Sequence, residues 1–227
     1  MVSALNGTAR GPADAGVDPA SFIKMNMRLQ PVPSIPEISL YMAHPASNLW
    51  RLTGKGGEGR PPYWAYVWAG GAALARHFLD RPESVRGRKV LDLGAGGGIV
   101  GIAALKAGAV SVTAAEIDGN GIAAIGLNAG ANGVTVEIVG RDLTRTDAPS
   151  ALDLVAVGDL FYAAGLARRV TCFLDNCLAA GAEVLIGDPG RAFLPRARLE
   201  PIAEYAVPDF GDGGAALKPS TVFAYRQ

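Results

Sequence analysis

The sequence contains little cysteine and histidine and no excess of charge of either sign. Two cysteines, Cys172 and Cys177, are too few for a disulfide scaffold, so we expect a reducing, cytoplasmic environment. The two histidines, His44 and His77, are isolated in the sequence, and the cysteines share one predicted helix stripe, so no metal site is expected. The 21 Lys and Arg residues balance the 21 Asp and Glu residues, so no basic field favours nucleic acid as a partner.

Long apolar runs are also absent. None reaches the ~18 residues that indicate a membrane-spanning helix, so no membrane association is expected. The polar start of the chain, Met1–Asp18, lacks the apolar core of a secretory signal. The 227 residues are 49% hydrophobic, which is enough for a sizeable core. We expect residues 1–17 to be a disordered tail, 18–60 an N-terminal helix and strand extension, and 61–227 one α/β domain.

The first part of the chain carries local signals for a small extension. Asp18 followed by Pro19 is typical of a helix start. Alternating apolar residues indicate strands, and glycine clusters indicate loops. These signals predict, in chain order, a helix over Asp18–Leu29, a strand over Ile35–Met42, its partner over Ser47–Leu52, a flexible loop over Gly54–Pro62 and a helix from Tyr63 to just before Pro82.

The rest of the chain alternates short apolar strands with helices. The predicted strands are Lys89–Leu93, Ser111–Glu116, Thr135–Val139, Leu152–Val157, Glu183–Gly187, and an antiparallel pair, Ile202–Val207 and Thr221–Tyr225. The predicted helices are Ile99–Ala107, Gly119–Asn132 and Gly165–Ala180. This alternation predicts an α/β fold with a mostly parallel sheet covered on both faces. A ligand is then expected at the carboxyl ends of the strands.

Thirty glycines are present, roughly twice the usual share of ~7%, and several follow the first strand of this alternation. After Asp92 come Gly94, Gly96 and Gly98, and then a helix begins. Glycine permits positive φ and a close ligand, and the helix start offers free N–H groups. The spacing fits two cofactors. A dinucleotide frame would begin at Gly96, whereas the frame that includes Asp92 is the one seen in S-adenosylmethionine-dependent methyltransferases, and we favour the latter.

Carboxylates also follow the next two strands. Glu116, 24 residues after Asp92, is placed to accept both ribose hydroxyls of either cofactor class, although a surface acid would look the same. Asp142, with Leu143 beside it, is a candidate for contact with an adenine amine, and a simple turn aspartate fits about as well. Asp118 is interpreted as the cap of the next helix.

A carboxylate and two aromatics follow the fourth strand, in the sequence GDLFY. An acid followed by aromatics suits an amine, so we expect Asp159 to orient a lysine ammonium while an aromatic wall holds its alkyl stem. Methyl transfer would require the neutral amine, and lysine has a reference pKa of about 10.4. Asp159 would therefore align the amine while its proton leaves to water. The alternative is that Asp159 only forms the turn.

Four segments together resemble one known family. They are PYWAYVWAGG (62–71), VLDLGAGGG (90–98), GDLFY (158–162) and IGDPGR (186–191). The sequence is similar to the electron transfer flavoprotein β-subunit lysine methyltransferases, within the class I protein-lysine methyltransferases. The resemblance implies a seven-stranded Rossmann-like fold with antiparallel C-terminal strands, and it makes residues 61–227 an S-adenosylmethionine-binding methyltransferase domain.

The resemblance also assigns residues to roles. The family's acidic-x-x-aromatic motif is met by Asp159 and Tyr162, which would be the catalytic residues. Trp68 would lie against the cofactor or the lysine channel, and Gly158 would lie beside the cofactor. The cofactor-binding set that we predict is Trp68, Asp92, Gly94, Ala95, Gly96, Glu116, Asp142, Leu143 and Gly158.

The implied function is methyl transfer from S-adenosylmethionine to protein lysines, with the electron transfer flavoprotein β-subunit as the first candidate substrate and ribosomal proteins as a second. Two alternatives stay open. An NAD(P)-binding oxidoreductase would share the glycine loop, although no Ser/Tyr/Lys hydride-transfer group is evident. A non-catalytic binding module would share the fold. For Arg191, pairing with Asp188, contact with an acidic partner protein and a lock for its own loop all fit.

Overall fold

The structure, a computed structural model, describes residues 18–53, 61–149, 151–209 and 217–226. The predicted tail over 1–17 and residues 54–60 of the predicted loop lie outside the described residues. The described part consists of a small N-terminal hairpin with its helix and a seven-stranded sheet flanked by helices.

The N-terminal extension begins with helix α1, Pro19–Asn26, and the Asp18 side chain accepts the Ser21 N–H at 3.0 Å as predicted. The helix ends before Leu29 because strand β1, Arg28–Val32, pairs antiparallel with strand β2, Ile35–Met42. The predicted pairing of Ser47–Leu52 with β2 is wrong. The two residues between β1 and β2 bring those strands together first, and Trp50–Thr53 forms a helical turn, α2.

The predicted helix from Tyr63 is in fact two elements. A 3₁₀ turn spans Tyr63–Ala65, and helix α3 spans Ala69–Asp80. Tyr66 and Trp68 have extended backbones, with ψ of 150° and 152°, and this breaks the helical path between the two elements. Two further 3₁₀ turns, Pro82–Ser84 and Leu143–Arg145, lie on connections.

The large sheet is built from alternating strands and helices, as the sequence predicts. In chain order these are β3 (Lys89–Leu93), α4 (Ile99–Lys106), β4 (Ser111–Ala115), α5 (Gly119–Ala131), β5 (Glu137–Val139), β6 (Leu154–Gly158), α6 (Ala164–Ala179), β7 (Glu183–Asp188), β8 (Leu199–Pro208) and β9 (Leu217–Tyr225). A 3₁₀ turn, Arg196–Arg198, precedes β8. The spatial order is β5-β4-β3-β6-β7-β9-β8, and β9 runs antiparallel to both of its neighbours, β7 and β8. The predicted fold class is confirmed.

Both faces of the sheet are covered by apolar side chains, because successive strand residues point to opposite sides. On one face, Leu74 and Phe78 of α3 and Ile102 of α4 are fully buried. On the other, α6 presents a buried apolar stripe that includes Val170, Phe173 and Cys177. The prediction that Cys172 shares this stripe is wrong, because its side chain is exposed. Burial of each such side chain contributes about 1.5–3 kcal/mol, and this double cover holds the strand ends in place.

The parallel strands end at one edge of the sheet. After β3 the chain moves to β4 on one side and later to β6 on the other, so the point where the strand order reverses lies between β3 and β6. Open α/β sheets bind ligands in the crevice at this point. The glycine loop and Asp159 follow the two strands that border it.

Helix α3 begins against the ends of β6 and β7, and two glycines make this approach possible. A Cβ on Gly70 would overlap the carbonyl oxygen of Gly187. A Cβ on Gly158 would lie 3.0 Å from Cα of Gly71. The backbones therefore touch directly, and the first turn of α3 is held at the edge of the sheet where the ligand is expected.

The Gly70–Gly187 contact predicts that Gly70→Ala destabilises the protein by about 2–4 kcal/mol, because the added methyl would overlap a backbone carbonyl. Gly126→Ala is the matched control. Gly126 also lies in a helix, α5, but a Cβ there meets nothing within 4 Å. This control should gain about 0.5–1 kcal/mol from helix propensity. Urea unfolding of both variants measures the difference, and equal stabilities would contradict the close contact.

Candidate active site

A cavity of about 730 Å³ opens at the carboxyl edge of the sheet. Nine of the eleven predicted site residues line it: Trp68, Gly94, Gly96, Glu116, Asp142, Leu143, Gly158, Asp159 and Tyr162. The other two, Asp92 and Ala95, line an adjoining cavity of about 60 Å³, which shares Gly94, Gly96 and Asp159 with the large one. The structure thus brings the predicted residues together around one crevice.

The glycine loop between β3 and α4 requires glycine for two separate reasons. Gly94, Gly96 and Gly98 have φ of +72°, +55° and +85°, a region that L side chains rarely adopt. A Cβ on Gly94 would also lie 2.7 Å from Cδ2 of Leu160. The loop is attached to the neighbouring strand, since the amides of Gly94 and Ala95 both donate to the carbonyl oxygen of Ala115.

Glu116 is directed toward the glycine loop. Its Oε2 accepts the Gly96 N–H at 2.8 Å, and its Oε1 accepts the N–H groups of Ile117 and Asp118 at 2.7 and 2.9 Å. These bonds hold the carboxylate at the wall of the cavity, and each oxygen keeps acceptor capacity for a ligand hydroxyl. Asp118 caps α5 by accepting the Asn120 N–H, as predicted.

Asp92 is almost completely enclosed, with 1% of its surface exposed. Its Oδ2 accepts the N–H of Gly101, the third residue of α4, at 2.9 Å. Burial raises the pKa of Asp92 to about 7; the Gly101 N–H opposes the rise and the nearby Glu116 carboxylate adds to it. With a pKa of about 7, the Asp92 carboxyl is partly protonated at neutral pH, and a nearby cation would favour its charged form.

Asp142 and Leu143 form the far end of the cavity. Asp142 accepts the Thr144 N–H at 3.1 Å and the Arg145 Nε–H at 3.0 Å. Partial burial opposes ionisation, but these hydrogen bonds lower the pKa of Asp142 overall. Asp142 therefore forms the hydrogen bonds of a turn aspartate and also lines the cavity. Leu143 is buried beside it, and Ile117 is 51% exposed in the same cavity.

Asp159 ties three elements together. Its backbone has a φ of +60°, which is unusual for a residue other than glycine. Its Oδ2 accepts the N–H of Gly71, the third residue of α3, at 2.9 Å, and its Oδ1 accepts from Nε of Arg191 at 2.9 Å and from its Nη2. Burial raises the pKa of Asp159 to about 6, against the opposing effects of Arg191 and Gly71.

The loop after β7 holds Arg191 in this position. Oδ1 of Asp188 accepts the N–H groups of Gly190 and Arg191 at 2.7 and 2.6 Å, and burial raises the pKa of Asp188. The Arg191 guanidinium pairs with Asp159, while Asp188 fixes only the Arg191 backbone. Of the interpretations left open by the sequence, the structure therefore favours the lock for the loop, with a side-chain partner that the sequence did not indicate.

Aromatic rings surround the open side of the cavity. The Trp68 ring lies 5.7 Å from that of Tyr63, and the Tyr63 ring lies 5.8 Å from that of Tyr162, measured between centroids. Nε1 of Trp68 donates to the carbonyl oxygen of Tyr63 at 2.9 Å, and the Arg191 guanidinium lies 5.5 Å from the Trp68 ring. Tyr63 and Tyr162 are about half exposed. Trp64 also lines both cavities, but it is only 4% exposed because it packs in the core with α1.

Several cavity residues were not predicted as site residues from the sequence, among them Ile117, Leu160 and Tyr63. Ile117 follows Glu116 as an apolar residue just beyond a strand end, and Leu160 stands inside GDLFY beside a residue already singled out. The sequence positions of Ile117 and Leu160 could therefore have identified them as candidate cavity residues. Tyr63 was treated as part of a continuous helix, so its place on the cavity wall was not foreseen.

Two further features of the described residues bear on ligands and location. Within 18–53, 61–149, 151–209 and 217–226, no three His, Cys, Asp or Glu side chains converge as a metal site. Over the same residues, no helix is both long and apolar enough to cross a membrane.

Comparisons with known proteins place the chain among methyltransferases. Residues 73–176 match the family model of ribosomal protein L11 methyltransferase (PrmA). The chain is 39% identical over 180 residues to the electron transfer flavoprotein beta subunit lysine methyltransferase of Rattus norvegicus, covering 77% of this chain and 70% of the rat protein. It is 36% identical over 219 residues to the protein of the same name from Xenopus laevis, covering 91% and 87%.

One solved structure supports the fold. A putative RNA methyltransferase from Pyrococcus horikoshii is similar with a TM-score of 0.56 and 16% sequence identity, covering 74% of this chain and 90% of that one. At this identity the similarity shows a shared fold alone.

The Asp159–Arg191 pair predicts a pH-dependent loss of stability in Arg191→Ala. The folded-state pKa of Asp159 is already raised to about 6, so its charged form opposes folding as the pH rises, and removal of Arg191 increases this cost. We expect a loss of about 2–4 kcal/mol at pH 8 and a smaller loss at pH 5, measured by urea unfolding.

Arg226→Ala serves as the control for this prediction, because the Arg226–Glu200 pair is 61% and 59% exposed. It should lose less than about 1 kcal/mol at either pH. An equal loss at pH 5 and pH 8 in Arg191→Ala would mean that Arg191 acts through packing on Trp68 and not through its charge.

Proposed function

The chain belongs to the electron transfer flavoprotein beta subunit lysine methyltransferase family, and from this membership we propose that it transfers methyl groups from S-adenosylmethionine to lysine side chains of a protein. The electron transfer flavoprotein beta subunit is the substrate that we propose, because the relatives carry it in their names. The observation that carries the proposal is the convergence of the glycine loop, Glu116 and Asp159 on one cavity of about 730 Å³.

The residues of the cavity suit S-adenosylmethionine. Glu116 is held where its oxygens can accept the two ribose hydroxyls, and Ile117 and Leu143 provide apolar surface for a planar base. Asp92 lines the smaller cavity beneath the glycine loop, at the end that suits the ammonium group of the cofactor's amino-acid part. The cavity thus offers acceptors for the ribose diol and for a cation, with apolar walls between them, and this arrangement matches S-adenosylmethionine.

When bound, S-adenosylmethionine supplies an electrophilic methyl group on a sulfonium. The lysine must present a neutral lone pair, which an isolated carboxylate would hinder by favouring the ammonium form. Here the Arg191 guanidinium balances the charge of Asp159. The pair as a whole is close to neutral, so Asp159 is able to accept an N–H from the amine without strongly favouring its protonation. This supports a role for Asp159 in alignment, with the proton leaving to water.

The aromatic wall supports the assignment of a lysine substrate. Tyr63, Trp68 and Tyr162 lie next to one another at the open side of the cavity. Rings in this arrangement suit an aliphatic stem and attract a cationic head group. Tyr162, about half exposed, is placed to contact the incoming side chain, and we propose it with Asp159 as the catalytic pair.

The alternatives are less well supported. Membership of a methyltransferase family does not favour an oxidoreductase, and the cavity with its acidic and aromatic groups does not favour a binding module without activity. The division into an extension over 18–60 and a methyltransferase domain over 61–227 stays part of the proposal. So do ribosomal proteins as a second substrate and a cytoplasmic location, which the free thiols of Cys172 and Cys177 support.

The buried acid predicts a pH dependence of cofactor-product binding. Asp92 has a pKa of about 7 in the ligand-free protein, and only its charged form attracts an ammonium group. The Kd of S-adenosylhomocysteine should therefore fall by about tenfold between pH 6 and pH 7.5 in isothermal titration calorimetry.

The Asp92→Asn variant tests whether the charge of Asp92 contributes to ligand binding. The amide retains an acceptor for the Gly101 N–H but cannot become charged. The variant should lose this pH dependence and bind more weakly at pH 7.5. The charged form of a group whose folded pKa is raised opposes folding at high pH, so the ligand-free variant should be more stable than wild type at pH 8, by up to about 4 kcal/mol. An unchanged Kd would remove Asp92 from the site.

The activity itself is tested with labelled S-adenosylmethionine and purified electron transfer flavoprotein, followed by peptide mass spectrometry. Wild type should label lysine residues of the beta subunit. Asp159→Asn keeps one acceptor oxygen in place of two, so it can accept from Gly71 or from Arg191 but not from both, and it loses the charge. It should lower kcat about 100-fold while the Kd of S-adenosylhomocysteine changes less than about threefold. Label on no lysine would refute the proposed substrate class, and a normal kcat in Asp159→Asn would remove its charge from catalysis.

A further inference from the structure

Two asparagines at the C-terminal end of helix α5, Asn128 within it and Asn132 directly after it, bind the edge of the N-terminal hairpin. We use the name N-terminal hairpin for β1 and β2, Arg28–Met42. Asn132 accepts the Ser39 N–H at 3.0 Å and donates to the Ser39 carbonyl oxygen at 2.6 Å. One turn earlier, Asn128 accepts the Tyr41 N–H at 2.8 Å. Both side chains therefore satisfy backbone groups of β2.

Asn128 has a second contact that Asn132 lacks. Its Nδ2 donates to the carbonyl oxygen of Gly97 at 2.8 Å, within the glycine loop. Asn132 instead donates to Ser39 and to the Asn128 carbonyl oxygen of its own helix. Asn128 is fully buried, at 0% exposure. One amide thus joins the hairpin on its oxygen side to the glycine loop on its nitrogen side.

The small cavity of about 60 Å³ lies at this junction. Leu40, Tyr41 and Met42 of the hairpin form part of its wall, and Gly97, Asn128 and Asp92 also line it. The hairpin is therefore a boundary of the space next to Asp92. This places β2, an element before the α/β alternation, beside the part of the site that we assign to the amino-acid end of the cofactor.

We propose that Asn128 is a positioning residue for cofactor binding, through which the N-terminal hairpin becomes part of the binding site. The inference rests on the proposed function, since it concerns the same cavity. Its physical basis is the peptide orientation of the loop. Gly96 on one side donates its N–H to Glu116, and Gly98 on the other donates to the Ala95 carbonyl oxygen. The Gly97 carbonyl between them is held by Asn128.

A loop with three glycines of positive φ has many alternative conformations, because glycine is the least restricted residue. Without the bond to Asn128 the Gly97–Gly98 peptide keeps only the bond from the Gly98 N–H to Ala95, so its orientation is less firmly fixed, and the loop must then be ordered again when the ligand binds. That cost reduces affinity. Once the ligand is bound, the reacting groups on Asp159 and Tyr162 are unaffected, so the maximal rate should stay the same.

The test compares Asn128→Ala with Asn132→Ala in the full chain. Asn128→Ala should raise the Kd of S-adenosylhomocysteine about three- to tenfold, the effect of one hydrogen bond, and raise the KM for S-adenosylmethionine with kcat unchanged. It should also speed amide hydrogen exchange in residues 94–98 of the ligand-free protein. Asn132→Ala, which removes only hairpin and helix contacts, should lower the melting temperature and leave the Kd within about twofold of wild type.

Equal changes of Kd in the two variants, or no change in Asn128→Ala, would overturn the proposal, since the asparagines would then only attach the hairpin. If Asn128→Ala does not fold, Asn128→Ser provides the same comparison with a smaller cavity. Wild-type protein that does not bind S-adenosylhomocysteine would overturn the proposed function instead. In that case hydrogen exchange still decides the role of Asn128: faster exchange over residues 94–98 in that variant alone supports it, and unchanged exchange refutes it.

Discussion

Two buried carboxylates, each accepting the N–H of the third residue of a helix, attach two helix starts to the strands that border the crevice between β3 and β6. Asp92, within β3, accepts the Gly101 N–H of α4, and Asp159, after β6, accepts the Gly71 N–H of α3. A helix start carries free N–H groups and partial positive charge, so a carboxylate is a favourable partner there. The helices are thus fixed relative to the two strands by groups that also face the cavities. The architecture and the chemistry depend on the same bonds.

The two buried acids at this edge differ in whether a cation lies beside them. Asp159 is balanced by Arg191, whereas Asp92 has only a backbone donor and is the group whose pKa rises furthest toward neutrality. This contrast suits the two tasks proposed for them. A balanced pair is suited to hold an amine in place without trapping its proton, and a buried acid with no cation beside it is suited to receive the ammonium group of the cofactor's amino-acid part. Neither task needs a histidine or a metal.

Much of the fold was predictable from sequence because its signals are local. The glycine loop, the apolar strands and the stripe on α6 each lie within one segment, and the acids at 92, 116 and 159 lie in or just after the ends of strands that were recognised. The errors arise where no local signal in the sequence decides between alternatives. The partner of β2 was wrongly assigned to Ser47–Leu52, because the sequence of a strand does not specify which other segment pairs with it. The break between Tyr63 and Ala69 was missed because it arises from extended residues inside an otherwise helical pattern. The bond between Arg191 and Asp159 joins residues 32 apart and had no local signal at all.

The left-handed backbone of Asp159 limits which residues the chain can tolerate there. Short polar side chains such as Asp and Asn enter this conformation at modest cost, whereas longer side chains are disfavoured. Glutamate has the same charge, yet it would meet both the backbone penalty and a carboxylate displaced by one methylene from Gly71 and Arg191. At this position, variation in an evolving lineage or a designed library is therefore restricted by main-chain geometry before any question of chemistry arises.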